Sequence, residues 1–179
     1  SRANTLIYSL TYRRVQLDQA TLHVSPETIP LLSQPVRVGG PGLTWIRDTR
    51  DQPLDAHRGT YNSMQELLAG SFLGSQADFN RVDFTNSSYY QFGKRHWVLA
   101  RSTRYGFENP FGRPAYQQIP LPERLYAGGA SSHRGFTINA AGPRDPQTGF
   151  PIGGEGAFVN ASELRMPNPT LPFIGTTLG

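Results

Sequence analysis

The residues of this chain that could carry a function lie in one segment, Leu125–Phe136, with the sequence LYAGGASSHRGF. A pair of glycines precedes an Arg-Gly-Phe triplet, so flexible backbone carries one cation and one aromatic side chain. An arginine in this setting recognises carboxylates through paired hydrogen bonds. The pattern predicts a binding loop, and its candidate residues are Gly128, Gly129, Arg134, Gly135 and Phe136.

Other groups that could do chemistry lack the required spacing. The histidines His23, His57, His96 and His133 are far apart and form no HExxH pair. The chain has no cysteine and no GxSxG elbow, and neighbours in a loop such as Ser131-Ser132-His133 rarely align as a triad. A calcium site at Asp48, Asp51 and Asp55 is disfavoured because nearby arginines balance these charges. The sequence therefore predicts no enzyme, no cofactor and no metal.

Composition narrows the class further. Hydrophobic residues make up only 37% of the 179 residues, yet aromatic residues reach 11%, as in strands that alternate apolar with polar residues. The basic excess is almost all arginine, scattered along the chain without a basic run. This distribution favours ion pairs inside a polar lumen and argues against a nucleic-acid partner. No apolar run reaches the 18 or so residues of a transmembrane helix.

Alternation with a period of two residues recurs along the chain and predicts an all-β protein, an antiparallel meander of about six strands. The segment Tyr61–Ala69 is ambiguous, because Glu66-Leu67-Leu68 could form a helical turn. Residues Ile174–Gly179 resemble the approach to a further strand. The predicted strands are Ala3–Leu17, Val36–Asp48, Tyr61–Ala69, Phe79–Phe92, His96–Phe107 and Gly154–Met166.

The alternation also assigns faces. One face should contact lipid and the opposite parity should line a wet lumen. Arg101 has the parity of the apolar residues, so we expect a bulge around Ser102-Thr103 that turns it to the polar side. Gly39-Gly40-Pro41 should bend or bulge the second strand. The predicted lipid-facing residues are Leu6, Tyr8, Leu10, Tyr12, Val82, Phe84, Tyr90 and Phe92.

Long and short connections alternate along the chain. The long ones span about Asp18–Pro35, Gly70–Asp78 and Gly112–Gly153, and the short ones are the turns Gln52–Arg58 and Gly93–Arg95. Long loops at one end and tight turns at the other are typical of an outer-membrane β-barrel. A soluble β-sandwich that serves as a binding domain remains an alternative.

Four blocks of sequence resemble the bacterial outer-membrane assembly-factor superfamily, the BamA/TamA-like surface-antigen barrels. Leu43–Gly59 is similar to a family strand and its Arg-Asp-x-x-Asp-x-Pro-Leu-Asp turn, and Trp97–Phe107 to the strand before the long loop. Pro122–Phe136 resembles the Ala-Gly-Gly and Arg-Gly-Phe signature of that loop, and Gly153–Pro167 the next strand with its glutamate. The departures are His133, where many members have valine, and Glu155, where they have asparagine.

The resemblance implies a function without covalent chemistry: folding and insertion of β-barrel proteins in the bacterial outer membrane. It implies unfolded outer-membrane proteins, membrane lipids and accessory assembly subunits as partners. The alternative is a secretion or passive transport pore of the same superfamily.

The resemblance also implies that residues 1–179 are a central part of a sixteen-stranded transmembrane barrel, with a lumen loop at about 112–153. By the same resemblance, we expect periplasmic repeat domains, the terminal barrel strands and a signal peptide to be absent from residues 1–179. Within the lumen, the family pattern places Arg134 against Glu163, and we expect a bidentate, only partly solvated ion pair.

Overall fold

The computed structural model describes residues 4–24, 26, 34–93, 96–113, 119–130 and 132–167. They form one six-stranded antiparallel sheet in which each strand pairs with its neighbours in the sequence. The predicted meander is therefore confirmed, and a two-sheet sandwich is excluded for the described residues. The strands are β1 (Thr5–Val15), β2 (Val36–Asp48), β3 (Gly59–Ala69), β4 (Phe79–Phe92), β5 (Trp97–Pro110) and β6 (Gly156–Arg165).

Short 3-10 turns interrupt the connections at Gln19–Thr21, Ser71–Leu73 and Leu121–Glu123. No helix in the described part of the chain is long and apolar enough to cross a membrane. The predicted further strand at Ile174–Gly179 lies outside the described residues.

Strand ends differ from the predictions by up to three residues. The clearest case is β5, which continues past Phe107 to Pro110. The possible helical turn at Glu66-Leu67-Leu68 is wrong, since these residues pair with Val82, Arg81 and Asn80 in the ladder between β3 and β4. Cross-strand packing thus overrides the weak local pattern there.

The predicted bulge around Ser102-Thr103 is wrong. The ladder between β4 and β5 runs without a break from Phe79 opposite Pro110 to Phe92 opposite Trp97, so Arg101 stays on the face of Leu99 and Tyr105. Small side chains opposite it, Ser88 on β4 and Ser162 on β6, leave it room without a change of register.

The β1–β2 ladder also passes through Gly39, Gly40 and Pro41 without a bulge. Gly40 is needed for a different reason: a Cβ atom there would collide with the backbone of Leu68 on β3.

The turn between β2 and β3 is held by two carboxylates. Asp48 binds the Arg50 guanidinium at 2.7 Å. Asp51 accepts hydrogen bonds from the backbone N–H groups of Gln52, His57 and Arg58 at 3.0–3.1 Å. These donors, Arg58 first, lower the pKa of Asp51. These contacts explain why acidic residues cluster at this turn.

The two faces of the sheet differ. We call the face covered by the loop between β5 and β6 the inner face and the opposite one the outer face. At the long-loop end of the inner face, Val38, Ala69, Phe79 and Ile119 form a buried apolar cluster with Ala77. All eight residues predicted to face lipid share the outer face, where most of them are exposed.

Candidate functional site

The described residues of the connection between β5 and β6 are 111–113, 119–130 and 132–155, and this segment lies against the inner face of the sheet. Paired backbone hydrogen bonds of 2.9 Å join Leu125 to Gly154, close to the start of β6. The Leu125 side chain packs over Gly106 of β5, where a Cβ would lie only 3.0 Å from it. Glycine in the strand therefore provides the space into which the loop settles.

The base of the loop, Leu121–Glu123, is fixed by two arginines of the inner face. Arg13 of β1 makes a two-point salt bridge with Glu123, in which Nε donates to Oε1 at 2.9 Å and Nη2 donates to Oε2. Arg81 of β4 donates to the backbone carbonyl of Glu123 at 2.9 Å. The Glu123 side chain is only 4% exposed. A charge this deeply buried requires such partners, so the base is firmly anchored.

Arg81 also organises the carboxylates around it. It donates to Asp83 at 2.6 Å and lies 3.5 Å from Glu108, directly opposite on β5. The Glu108 side chain is fully buried, and its two carboxylate oxygens have no hydrogen-bond partner among the described residues. Arg81 is therefore the central cation of a polar cluster beneath the loop.

The middle of the loop turns at the predicted glycines. Gly128 has φ +120° and Gly129 has φ +88°, in the region that favours glycine. The Ser132 hydroxyl accepts from the Gly128 N–H at 2.8 Å and donates to the Gly128 carbonyl at 2.9 Å. A Cβ at Gly128 would lie 2.4 Å from the Thr137 carbonyl oxygen. Gly128 thus permits the loop to fold back on itself.

The tip carries the Arg-Gly-Phe triplet. Phe136 is half exposed, and its ring meets that of His133 edge to face at 4.8 Å. Gly135 has an ordinary φ, and a Cβ there would only touch the His133 ring at 3.4 Å. The backbone of Phe136 closes the turn by accepting from the Gly129 N–H at 2.9 Å.

Arg134 and Glu163 lie within ion-pair distance, with Arg134 Nη2 3.6 Å from Glu163 Oε1. The expected bidentate geometry is wrong: there is one contact, and the Arg134 side chain is 76% exposed. Glu163 is shared with Arg165, whose Nη2 lies 3.8 Å from its other oxygen. The neighbouring cation and the surrounding water weaken the pair, and its role in function stays a prediction.

A cavity of about 380 Å³ separates the loop from the strands. Polar groups from both sides line it, among them Arg81, Asp83, Arg104, Arg124 and Tyr126. Tyr126 donates its hydroxyl to the Leu121 carbonyl at 3.0 Å, and burial raises its pKa. The space beneath the loop is therefore polar and wide enough for water.

Sequence reasoning missed the anchoring residues Arg13, Arg81, Glu108 and Glu123. Parity assigned Arg13 and Arg81 to the polar face of the predicted strands, but it does not say which polar residues contact the loop. Glu108 lay beyond the predicted end of the fifth strand at Phe107. Glu123 lies within the block that resembles the family loop, two residues before Leu125. An acidic residue between Pro122 and the glycine pair was the available signal.

The family profile of the Omp85 superfamily domain matches residues 3–178. The chain therefore belongs to the Omp85 superfamily, and its strands are part of an outer-membrane β-barrel.

Among curated relatives, the outer membrane protein assembly factor BamA of Nitratidesulfovibrio vulgaris is 34% identical over 132 residues, 72% of this chain and 16% of that protein. A SAM50-like protein of Schizosaccharomyces pombe is 30% identical over 70% of this chain and 26% of its own length. The chain thus spans about a quarter or less of these relatives.

Among solved structures, BamA from Haemophilus ducreyi lacking POTRA domains 1-3 matches with a TM-score of 0.73 at 20% identity. The match covers 97% of this chain and 35% of that one. This similarity confirms the fold as a segment of such a barrel.

Proposed function

We propose that this chain is the central part of a bacterial outer-membrane protein assembly factor, a sixteen-stranded barrel that folds and inserts other β-barrel proteins without covalent chemistry. The observation that carries the proposal is the loop at 111–155, anchored on the inner face with Arg134 beside Glu163. Relatives named as an assembly factor and as sorting and assembly machinery components support it, and the bacterial relative at 34% identity favours a bacterial membrane.

The site suits a mechanical role. Glu123 and Arg81 hold the base of the loop to β1 and β4, while the tip reaches β6. A loop attached at both places couples strands that are not neighbours in the sheet. We propose that this coupling keeps the barrel wall in the shape on which substrate strands assemble.

The partners follow from that role. They are unfolded outer-membrane proteins, the lipids of the outer membrane, and accessory assembly subunits. Periplasmic repeats and terminal strands would be supplied by other parts of the full-length protein.

The experiment uses the full-length protein in phospholipid vesicles with an unfolded β-barrel substrate. Folding is followed by the shift in gel mobility of the folded barrel. We expect Arg134→Ala to slow folding of the substrate about ten-fold, because the variant loses one charge-assisted contact. Arg113→Ala, in the same loop and also exposed, is the matched control and should leave the rate unchanged. Equal rates for wild type and Arg134→Ala would refute the role of the tip.

A secretion or passive transport pore of the same superfamily is the second candidate. The polar cavity of about 380 Å³ under the loop is the observation in its favour. Such a pore would show steady conductance in planar bilayers that Arg134→Ala increases, with no acceleration of substrate folding in vesicles. Substrate folding without conductance would reject it.

A further inference from the structure

Arg101 occupies an unusual place on the outer face. It lies four residues inside β5, counted from Trp97, and is exposed beside Leu99 and Tyr105 of the same face. No described residue is within ion-pair or hydrogen-bond distance of it. Since an arginine that faces hydrocarbon is destabilising near the membrane centre, its charge calls for a partner beyond the described residues.

The other charges of the outer face do not raise this problem. Arg14, Arg37 and Arg47 each lie next to the end of a strand, where side chains reach water. Among the described strand residues, the outer face carries these three arginines and Arg101 but one acidic residue, Glu66. The Glu66 carboxylate accepts a hydrogen bond from Asn80 at 3.3 Å. The outer face therefore complements a negative charge, and Arg101 is the cation placed inside the membrane-spanning part.

Small polar side chains surround Arg101. Ser88 and Ser162 lie directly opposite it on the two neighbouring strands. Several polar side chains near Arg101 are hydrogen-bonded to one another. The Asn86 amide donates to Asn62 at 2.7 Å, and the Ser88 hydroxyl donates to Asn86 at 2.9 Å. We call Ser88, Arg101, Ser162, Asn62, Asn86, Thr103 and Asn160 the polar belt.

Apolar side chains border the polar belt along the strands on both sides. Toward the short turns lie Tyr90, Leu99 and Leu164, followed by Phe92 and Trp97. Toward the long loops lie Phe84, Tyr105 and Phe158. Tyr and Trp mark the membrane interface in such barrels, so Trp97 lies at the interface on the side of the short turns.

We propose that the polar belt binds the phosphate group of a phospholipid from the leaflet on the side of the short turns. Four strand residues from Trp97 to Arg101 correspond to about 13 Å along the strand and about 10 Å along the membrane normal at the usual tilt. An arginine side chain that extends toward the interface covers most of this depth, so the phosphate is drawn inward by a few ångström.

A lipid fits better than a protein partner. The amides of the polar belt and the buried Ser88 hydroxyl already donate to neighbours, which leaves the Arg101 guanidinium and the exposed Ser162 hydroxyl as the donors. Donors of this kind suit the oxygens of one phosphate. The acyl chains would then cover the apolar band of Phe84, Tyr105 and Phe158. The inference needs only the barrel in its membrane and does not depend on the assembly activity.

The first test measures lipid binding to the full-length protein by native mass spectrometry, with phosphatidylglycerol titrated into a phosphate-free detergent. We expect Arg101→Gln to weaken the tightest lipid about ten-fold. Arg14→Gln, on the same face but at the long-loop end of the sheet, should leave it unchanged. Free inorganic phosphate should not displace the lipid, because it brings no acyl chains. Equal lipid affinity for wild type and Arg101→Gln would overturn the proposal.

The second test uses the sign of a stability change. Arg101→Leu should raise the melting temperature in phosphate-free detergent, where the charge has no partner, and lower it in phosphatidylglycerol bilayers, where the phosphate contact is lost. An increase in both settings would overturn the proposal. A protein cross-linked through position 101, with lipid binding unaffected by Arg101→Gln, would also overturn it and assign the polar belt to a protein partner.

Discussion

The base and the tip of the long loop are held to the same sheet in opposite ways. At the base, Glu123 is 4% exposed and bound at two points by Arg13. At the tip, Arg134 is 76% exposed and makes one contact of 3.6 Å with Glu163. The Arg-Gly-Phe triplet is thus the more weakly bound part of the loop, while the stronger anchor, Glu123, lies near the start of the same block of resemblance.

The two contacts differ in how easily they break. A buried two-point salt bridge resists opening because breaking it leaves an unpaired charge in a place without water. An exposed single contact exchanges readily with water and with other partners. The base therefore fixes where the loop lies, and the contact of the tip with Glu163 is the weaker of the two attachments.

The largest expected effect is at the base. Arg13→Ala leaves the buried Glu123 carboxylate without its salt-bridge partner and should lower the free energy of unfolding by up to about 3 kcal/mol. The half-exposed state of Arg13 makes this an upper value. Limited proteolysis of the full-length protein should show rapid cleavage within the loop. Arg14→Ala, next in sequence but on the outer face, should keep wild-type protection.

The next effect is at the glycine turn. Gly128→Ala should destabilise the loop by about 2 kcal/mol, because φ is +120° and the new Cβ meets the Thr137 carbonyl. Gly135→Ala is the matched control and should lower the free energy of unfolding by about 0.5 kcal/mol or less, since Gly135 has an unstrained backbone. Thermal unfolding of the two variants measures the contrast. Equal losses of stability in the two variants would show that the turn does not depend on the positive φ of Gly128.

A smaller effect is expected at the tip. Arg134→Ala should change the free energy of unfolding by less than about 1 kcal/mol, as for exposed ion pairs, and leave the loop protected from protease. The same variant should slow substrate folding in vesicles. Loss of protease protection in Arg134→Ala as severe as in Arg13→Ala would contradict the division between base and tip.

The smallest effect concerns the turn at the opposite end of the sheet. Hydrogen bonds to the Asp51 carboxylate lower its pKa below the ordinary 3.8, so they stabilise the turn above that value and are lost as pH falls through the lower folded-state pKa. Protection of the Arg58 amide from exchange, taken relative to its intrinsic rate at each pH, should therefore fall as the pH drops below 3.8. Asp51→Asn should remove this pH dependence, and loop protection should stay unchanged in both proteins.

Much of the architecture could be read from the chain itself. Side chains alternate between faces in a strand, so the spacing of Leu6, Tyr8 and Leu10 or of Tyr90 and Phe92 fixed both the strands and their faces. Glycines with positive φ, such as Gly128, were also recognisable because few other residues adopt that backbone. Strand ends were less certain, because hydrogen bonds from neighbouring strands extend β5 to Pro110.

Local spacing along the chain was enough to predict an antiparallel meander, its two faces and the loop with its Arg-Gly-Phe tip. The three-dimensional structure was needed to show that Glu123 contacts Arg13 across 110 residues, because no periodicity links positions so far apart. It also decided that Arg101 stays on the outer face: register belongs to paired strands, and Ser88 and Ser162 on the neighbours leave it space.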